Sequence, residues 1–162
     1  MSDAFEIAPP ASDMDREWLA ALWQEEWGGE LMVTKGSTYR LQDLQALLAF
    51  AAGTPVGAAT YRLDGRECEL MSINARLGGQ GIGTRLLAAV EACAREAGAH
   101  RVWLITSNDN LDALRFYQRR GYRLTAVHPN AIDEARRLKP TIPTVGDHGI
   151  PLHDELELAK EL

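Results

Sequence analysis

At 162 residues, with 46% apolar and 25% charged side chains, the chain is long enough for one domain with a full core and too ordinary in composition to be disordered. Its formal charge of −6 lacks the basic excess that nucleic-acid phosphates demand, and no apolar run approaches the roughly 18 residues of a membrane span. The opening "MSDAFEIAPPASDMD" has no basic stretch leading into an apolar one, and Cys68 and Cys93 lack metal-ligand spacing, so the expectation is a single reduced, cytoplasmic domain over residues 1–162, with no nucleic-acid and no membrane partner.

Residues 4–8 read as a short strand stopped by Pro9 and Pro10. From Asp13 the pattern turns helical, with Trp18, Leu19, Leu22, Trp23 and Trp27 on one side and Gly28-Gly29 at the end. Residues 31–47 combine a turn at "KGST" with a short helix expected around Leu41–Leu47. Three strands follow, "LLAFAAG", "PVGAATYRL" and "CELMSINA", joined by the turn signals "GTP" and "DGRE" into an antiparallel meander. Strict alternation along the third places Glu69, Met71 and Ile73 on one face and Cys68, Leu70 and Ser72 on the other.

Next comes a helix with Ile82, Leu86, Leu87, Val90, Cys93, Ala94 and Ala97 on its apolar stripe, then the strand "RVWLITS". Asn110 opens and Gly121 closes a further helix, as their side-chain oxygen and left-handed tolerance suit them to do. The strand "YRLTAVHP", a polar helix near Asn130–Leu138, the loop "KPTIPTVGDHGIP" and a strand within "HDELELAKEL" complete the chain. A meander combined with helical crossovers predicts a mixed α/β sheet.

The densest signal is "GGQGIGTRLL", where Gly78, Gly79, Gly81 and Gly83 stand at the mouth of a helix. Glycine allows positive φ and close backbone approach, and a helix N-terminus offers unpaired N–H groups and a positive dipole end, so the pairing suits an anion such as a phosphate. A P-loop would close with Gly-Lys-Ser/Thr where this chain has "GIGTR", and a dinucleotide fingerprint would occupy the first strand–helix turn with a different spacing.

"LGGQGIGTRLL" resembles the acetyl-CoA-binding motif of the GNAT-type N-acetyltransferase superfamily, Q/R-x-x-G-x-G/A, and "NLDALRFYQRRGY" resembles its second signature at Asn110, Ala113, Phe116, Tyr117, Gly121 and Tyr122. The two stand in the right order on the right elements, and the likeness is clear over about residues 45–128, with 129–162 as a C-terminal loop and strand. Gly78 stands where the family motif opens with Arg or Gln, which removes one side-chain contact but leaves the backbone amides. The resemblance implies a mostly antiparallel sheet of about seven strands flanked by helices, with a splayed parallel pair that takes the pantetheine arm of acetyl-CoA as co-substrate. It implies amides of Ile73 and Asn74 against the thioester, a pyrophosphate on Gly78, Gly79, Gln80, Gly81, Ile82, Gly83 and Thr84, and Asn108, Asn110 and Tyr117 beside the arm. A homodimer is compatible with it.

The implied reaction moves an acetyl group to a primary amine, from a small molecule or a peptide, through a tetrahedral intermediate. A departing thiolate, with a thiol pKa of about 8.5, can take a proton from a phenol near 10, which suits Tyr117 as general acid. Removing a proton from an ammonium of pKa near 10.4 calls for a base, and Glu69 is the first choice, with Glu67, His128 or water as alternatives. Neither Cys68 nor Cys93 has an activating neighbour in sequence, which favours direct transfer over a covalent enzyme intermediate. The acceptor side is expected from segments 23–45 and 129–152, the latter as a lid, with Trp23, Trp27, Tyr39 and Trp103 as aromatic walls. A non-catalytic acyl-CoA-binding module is the alternative reading.

Overall fold

A computed structural model of the chain describes residues 5–76 and 81–162. Strand β1 (Phe5–Ala8) precedes helix α1 (Asp13–Trp27), whose first turn is capped by the Ser12 hydroxyl accepting the Asp15 N–H at 3.1 Å. Gly28, left-handed at φ 73°, ends it. Strands β2 (Leu31–Thr34) and β3 (Ser37–Arg40) form a separate hairpin whose turn residues, Lys35 and Gly36, both have positive φ, the geometry that matches strand twist in a two-residue turn.

The helix expected around Leu41–Leu47 is corrected here. Only Leu41–Asp43 makes a single 3-10 turn, and strand β4 (Gln45–Ala51) already runs from Gln45. The cause is double-sided burial: Leu47 and Ala49 enter one core and Leu48 the other, so the segment reads as a continuous apolar run rather than an alternating one. The meander continues through β5 (Thr54–Asp64) and β6 (Glu67–Ala75). Helix α2 (Ile82–Glu96), β7 (Arg101–Ser107), α3 (Leu111–Arg119), β8 (Arg123–His128), α4 (Ala131–Leu138) and β9 (Glu155–Glu161) follow.

Seven strands form one sheet in the order β1-β4-β5-β6-β7-β9-β8, antiparallel throughout except for the β6–β7 pair. On one face α2 packs Leu86, Leu87 and Val90 against Leu47, Ala59, Cys68 and Val102; on the other α1 packs Leu19, Leu22 and Trp23 against Leu48 and Ala58. Ala97, expected on the α2 stripe, is exposed beyond its end, and Glu91 lies buried instead, accepting the Tyr122 hydroxyl at 2.8 Å and the Lys160 ammonium at 3.1 Å. Among the described residues no helix is long and apolar enough to cross a membrane.

Two irregularities shape the centre of the sheet. Leu70 pairs with Tyr61 but Ser72 with Thr60, so Met71 is an extra residue, a β-bulge. The expected alternation fails there: past Met71 the faces exchange, Ile73 joins Cys68 and Leu70 against α2, and Ser72 sits on the Glu69 face, bonded to Thr60. The second irregularity is that β6 and β7 pair only from Glu67↔Arg101 to Leu70↔Leu104. Beyond, β6 continues with β5 and β7 with β9, leaving a cleft between residues 71–75 and 105–107.

Candidate active site

The bulge and the loss of pairing coincide, and a cavity of about 310 Å³ opens there. It is lined by Leu70–Ile73 and Leu104–Ser107 on the two strands and by Asn110, Ala113 and Tyr117 at and along α3. Peptide groups on the diverging edges have no cross-strand partner, so the cleft presents main-chain donors and acceptors to an extended guest. Ile73, Asn110 and Tyr117 also line an adjoining cavity of about 600 Å³ that includes Gly83 of α2 and, along α3, Asp112, Arg115, Arg119 and Arg120.

Of the residues singled out in the sequence, Ile73, Asn110 and Tyr117 are brought together in the cleft, and Gly83 lies on the adjoining cavity. Asn110 is also the cap of α3, its Oδ1 accepting the Ala113 N–H at 3.2 Å. Asn74 is half-buried, with an Oδ1 that finds no hydrogen-bond partner among the described residues. Gly81 starts α2 at φ 76°, and the first amides of that helix have no intrahelical acceptor. Ile82 contributes its side chain to the core, 1% exposed. The Thr84 hydroxyl accepts Arg120 Nη2 at 2.7 Å and Nε at 3.0 Å, and the same guanidinium stacks 3.9 Å over Phe116, tying α3 to the mouth of α2. Gly78, Gly79 and Gln80 lie outside the described residues.

Asn108 is not among the residues lining either cavity; its amide donates to the Pro151 carbonyl at 2.9 Å and its oxygen accepts the His153 and Asp154 N–H groups, which fastens the approach to β9.

Tyr117 is buried, edge-on to Phe116 at 5.1 Å and Tyr122 at 5.7 Å, and burial pushes its phenol well above the ordinary tyrosine range. The group therefore stays protonated at any working pH and is available as a donor. Glu69 is 1% exposed on the face opposite α2, accepting Arg62 Nε at 2.7 Å and the Thr34 hydroxyl at 3.0 Å. Burial pushes its carboxyl above the usual range, and those two bonds offset part of the effect. Glu69 does not line the cavity; Thr34 does, so the carboxylate reaches it through that hydroxyl. Glu67 is paired with Arg101 at 2.5 Å and His128 with Glu157 at 3.0 Å, both away from the cleft lining. Burial pushes the Cys68 thiol up to about 12, far from a nucleophile's range.

Both segments expected on the acceptor side are there. Trp27, Met32, Val33 and Thr34 come from the first, and Ile132, Lys139, Ile142 and Leu152 from the second. Of the four aromatic residues, Trp27 lines the cleft, Trp23 is fully buried under α1, and Trp103 and Tyr39 lie beneath Lys35 and Arg62. The connection expected as a lid is fastened: Arg136 donates to the carbonyls of Ile142, Pro143 and Leu152, and Lys139 Nζ to that of Leu31 at 2.9 Å. Sequence reasoning passed over Thr34, Lys139 and Glu155, all of which line the cleft. The signal for Glu155 was legible in "ELEL", where two acids share one face of a strand that otherwise buries leucine.

The model of the Acetyltransferase (GNAT) family matches residues 13–122. The uncharacterized protein YdhI of Bacillus subtilis (strain 168) is 40% identical over 155 residues, covering 95% of this chain and 97% of that one. Among solved structures, a GNAT family acetyltransferase from Elizabethkingia anophelis with acetyl-CoA bound superposes with a TM-score of 0.74 at 22% identity, covering 99% of this chain and 100% of that one. A Bacillus subtilis acetyltransferase in complex with CoA gives a TM-score of 0.74 at 18% identity, with 98% and 99% coverage. By the extent of the family match and the identity to YdhI, this chain belongs to the GNAT acetyltransferase family.

Proposed function

We propose that the protein is an acetyl-CoA-dependent N-acetyltransferase that moves the acetyl group to a primary amine by direct attack. The observation that carries this is the parting of β6 and β7 beyond Leu70↔Leu104, with Tyr117 and Asn110 on its flank. The unpaired edges there fit an extended arm that borrows strand-like hydrogen bonds, and amides at Ile73 and Asn74 polarise the thioester carbonyl and hold the developing oxyanion. The start of α2, from Gly81 to Thr84, with the Arg120 guanidinium on Thr84, takes the pyrophosphate. Structural relatives holding acetyl-CoA or CoA on the same fold support this assignment.

Tyr117 gives its proton to the sulfur as the carbon–sulfur bond breaks. Its raised pKa would oppose that transfer in water, but the same desolvation raises the proton affinity of the nascent thiolate beside it, so the mismatch does not grow. Glu69, which accepts the Thr34 hydroxyl and does not itself line the cavity, orders the acceptor side. Tyr117→Phe tests the assignment by thiol release from acetyl-CoA with an amine present. Turnover should fall about 10²–10⁴-fold while stabilisation by CoA is retained. Unchanged turnover would remove Tyr117 from the chemistry, and no amine-dependent thiol release from the wild type would indicate a binding module.

A further inference from the structure

Acetyl transfer from a bound thioester requires the acceptor to arrive and shed a proton, and the acceptor side of the cleft holds the group for both. Thr34, Ser72, Thr106 and Ser107 bring hydroxyls, and Lys139 brings a cation engaged on the Leu31 carbonyl. Glu155 is the single carboxylate among the described residues that line the cleft. We propose that Glu155 receives the acceptor's ammonium group and takes its proton before attack, and that the acceptor is a monoamine on an apolar body. This rests on the acetyltransferase assignment above.

Glu155 is the first residue of β9, in register with Ser107 at the end of the parted strand β7 and with His128 on β8. It is 2% exposed. Three carboxylates share this face of the sheet, and their partners differ. Glu69 has Arg62, and Glu157 has Lys35 Nζ at 3.2 Å and His128 Nε2 at 3.0 Å. Glu155 accepts only the backbone N–H of Lys35, at 3.2 Å on Oε1; among the described residues no side chain donates to it. A carboxylate buried without a countercharge is costly, and an ammonium entering the cleft supplies the missing one.

The charged groups around it are Lys35 on the hairpin turn, Glu69 on β6, His128 on β8 and Lys139 beyond α4, with Glu134 and Arg137 of α4 on a second cavity that Glu155 also lines. Burial, helped by the charge of Glu69, outweighs the bond and charge of Lys35 and the charge of His128 and holds the Glu155 carboxyl above the ordinary range, the direction that makes it a stronger base. The lining also includes Trp27, Met32, Ile142 and Leu152, which are apolar, and among the described residues no second acid for a further cation.

The ammonium proton passes to a Glu155 oxygen and on to solvent. The freed lone pair forms the carbon–nitrogen bond, the carbonyl pair moves to oxygen and returns, and the carbon–sulfur bond breaks. The sulfur is protonated from Tyr117, which is restored by a second proton from the attacking nitrogen, the third staying on the amide. The products are amide, thiol and one proton released.

The test is thiol release with phenethylamine and acetyl-CoA between about pH 5.5 and 9, in wild type, Glu155→Gln, Glu155→Asp and Glu69→Gln, with the acetyl-CoA-induced rise in Tm as a check on folding. Activity as kcat/KM should fall as pH drops through the folded pKa of Glu155. Glu155→Gln should lose about 10²–10⁴-fold near neutrality and lose that acid limb, while keeping the acetyl-CoA-induced rise in Tm. Glu155→Asp should keep the limb at reduced activity, and Glu69→Gln should keep it too. A limb that persists in Glu155→Gln, or vanishes in Glu69→Gln alone, overturns the role. A wild type stabilised by acetyl-CoA but inactive on phenethylamine and other apolar monoamines overturns the acceptor class and the role with it. A wild type that acetyl-CoA does not stabilise instead overturns the acetyltransferase assignment beneath them.

Discussion

Single positions decide how the two halves of the site meet. At Gly57 on β5 an added Cβ would lie 2.8 Å from Ile82 Cγ2 and 2.9 Å from the Asn74 carbonyl oxygen, so the absence of a side chain there sets how closely α2 approaches β6. The Asn74 carbonyl belongs to the backbone and cannot yield as a flexible side chain would. Gly57→Ala should therefore destabilise by about 1–3 kcal/mol. It should also weaken acetyl-CoA binding, because Ile82 and Asn74 flank the site. Chemical denaturation and titration with acetyl-CoA check both, and a variant that keeps wild-type stability and affinity would show that the contact relaxes freely.

Among elements, the proposed function divides those that would hold the co-substrate from those that would roof the acceptor. The β6–β7 cleft, α2 and α3 make the first group; the β2–β3 hairpin, α4 and the connection to β9 make the second. Arg136 is the fastener of the roof, one guanidinium serving the Ile142, Pro143 and Leu152 carbonyls and Asp133 at 2.8 Å. Arg136→Ala should cost about 2 kcal/mol in stability, since three carbonyls lose charge-assisted donors. It should raise the acceptor KM while leaving acetyl-CoA affinity unchanged. An equal loss of acetyl-CoA affinity would mean that the two groups of elements are not separable.

These two groups differed in how legible they were. The glycine-to-helix turn and the Asn110–Tyr122 segment announce themselves because their residues answer local demands, positive φ and helix capping, that recur wherever the geometry does. The roof does not. Its hairpin strands have four residues each, too few to show a period, and Leu47, Leu48 and Ala49 serve two cores at once and mimic a helix. The Met71 bulge leaves no mark in composition, yet it decides that Ile73 faces α2 and Glu69 does not. The local pattern shows Glu155 only as an acid sharing a strand face with Glu157; its place beside the cleft comes from the long-range insertion of the last strand between β7 and β8.

For the molecule as a whole, the site is a cost to stability. Burial raises the Glu155 carboxyl, so its charged form is disfavoured by folding. At pH below the ordinary carboxylate pKa both states are protonated and nothing is lost; the penalty grows as pH rises through the folded pKa and is complete above it. Glu155→Gln removes that penalty while keeping an oxygen for the Lys35 N–H. It should raise Tm by about 2–4 °C at pH 8, with the gain fading on acidification. A lower Tm at pH 8 would mean that the negative charge is compensated in the free protein, and would argue against an unpaired carboxylate waiting for a cation.

Thermal unfolding of the wild type with acetyl-CoA, CoA, ATP and NAD decides whether the glycine-led helix and the parted strands hold acetyl-CoA. A ligand that binds only the folded state stabilises it by RT ln(1 + [L]/Kd), and 100-fold excess over Kd gives about 2.7 kcal/mol, several degrees for a chain of this size. Acetyl-CoA and CoA should each give such a shift, and ATP and NAD none of comparable size. A larger shift with ATP or NAD, or none with acetyl-CoA, would contradict that binding.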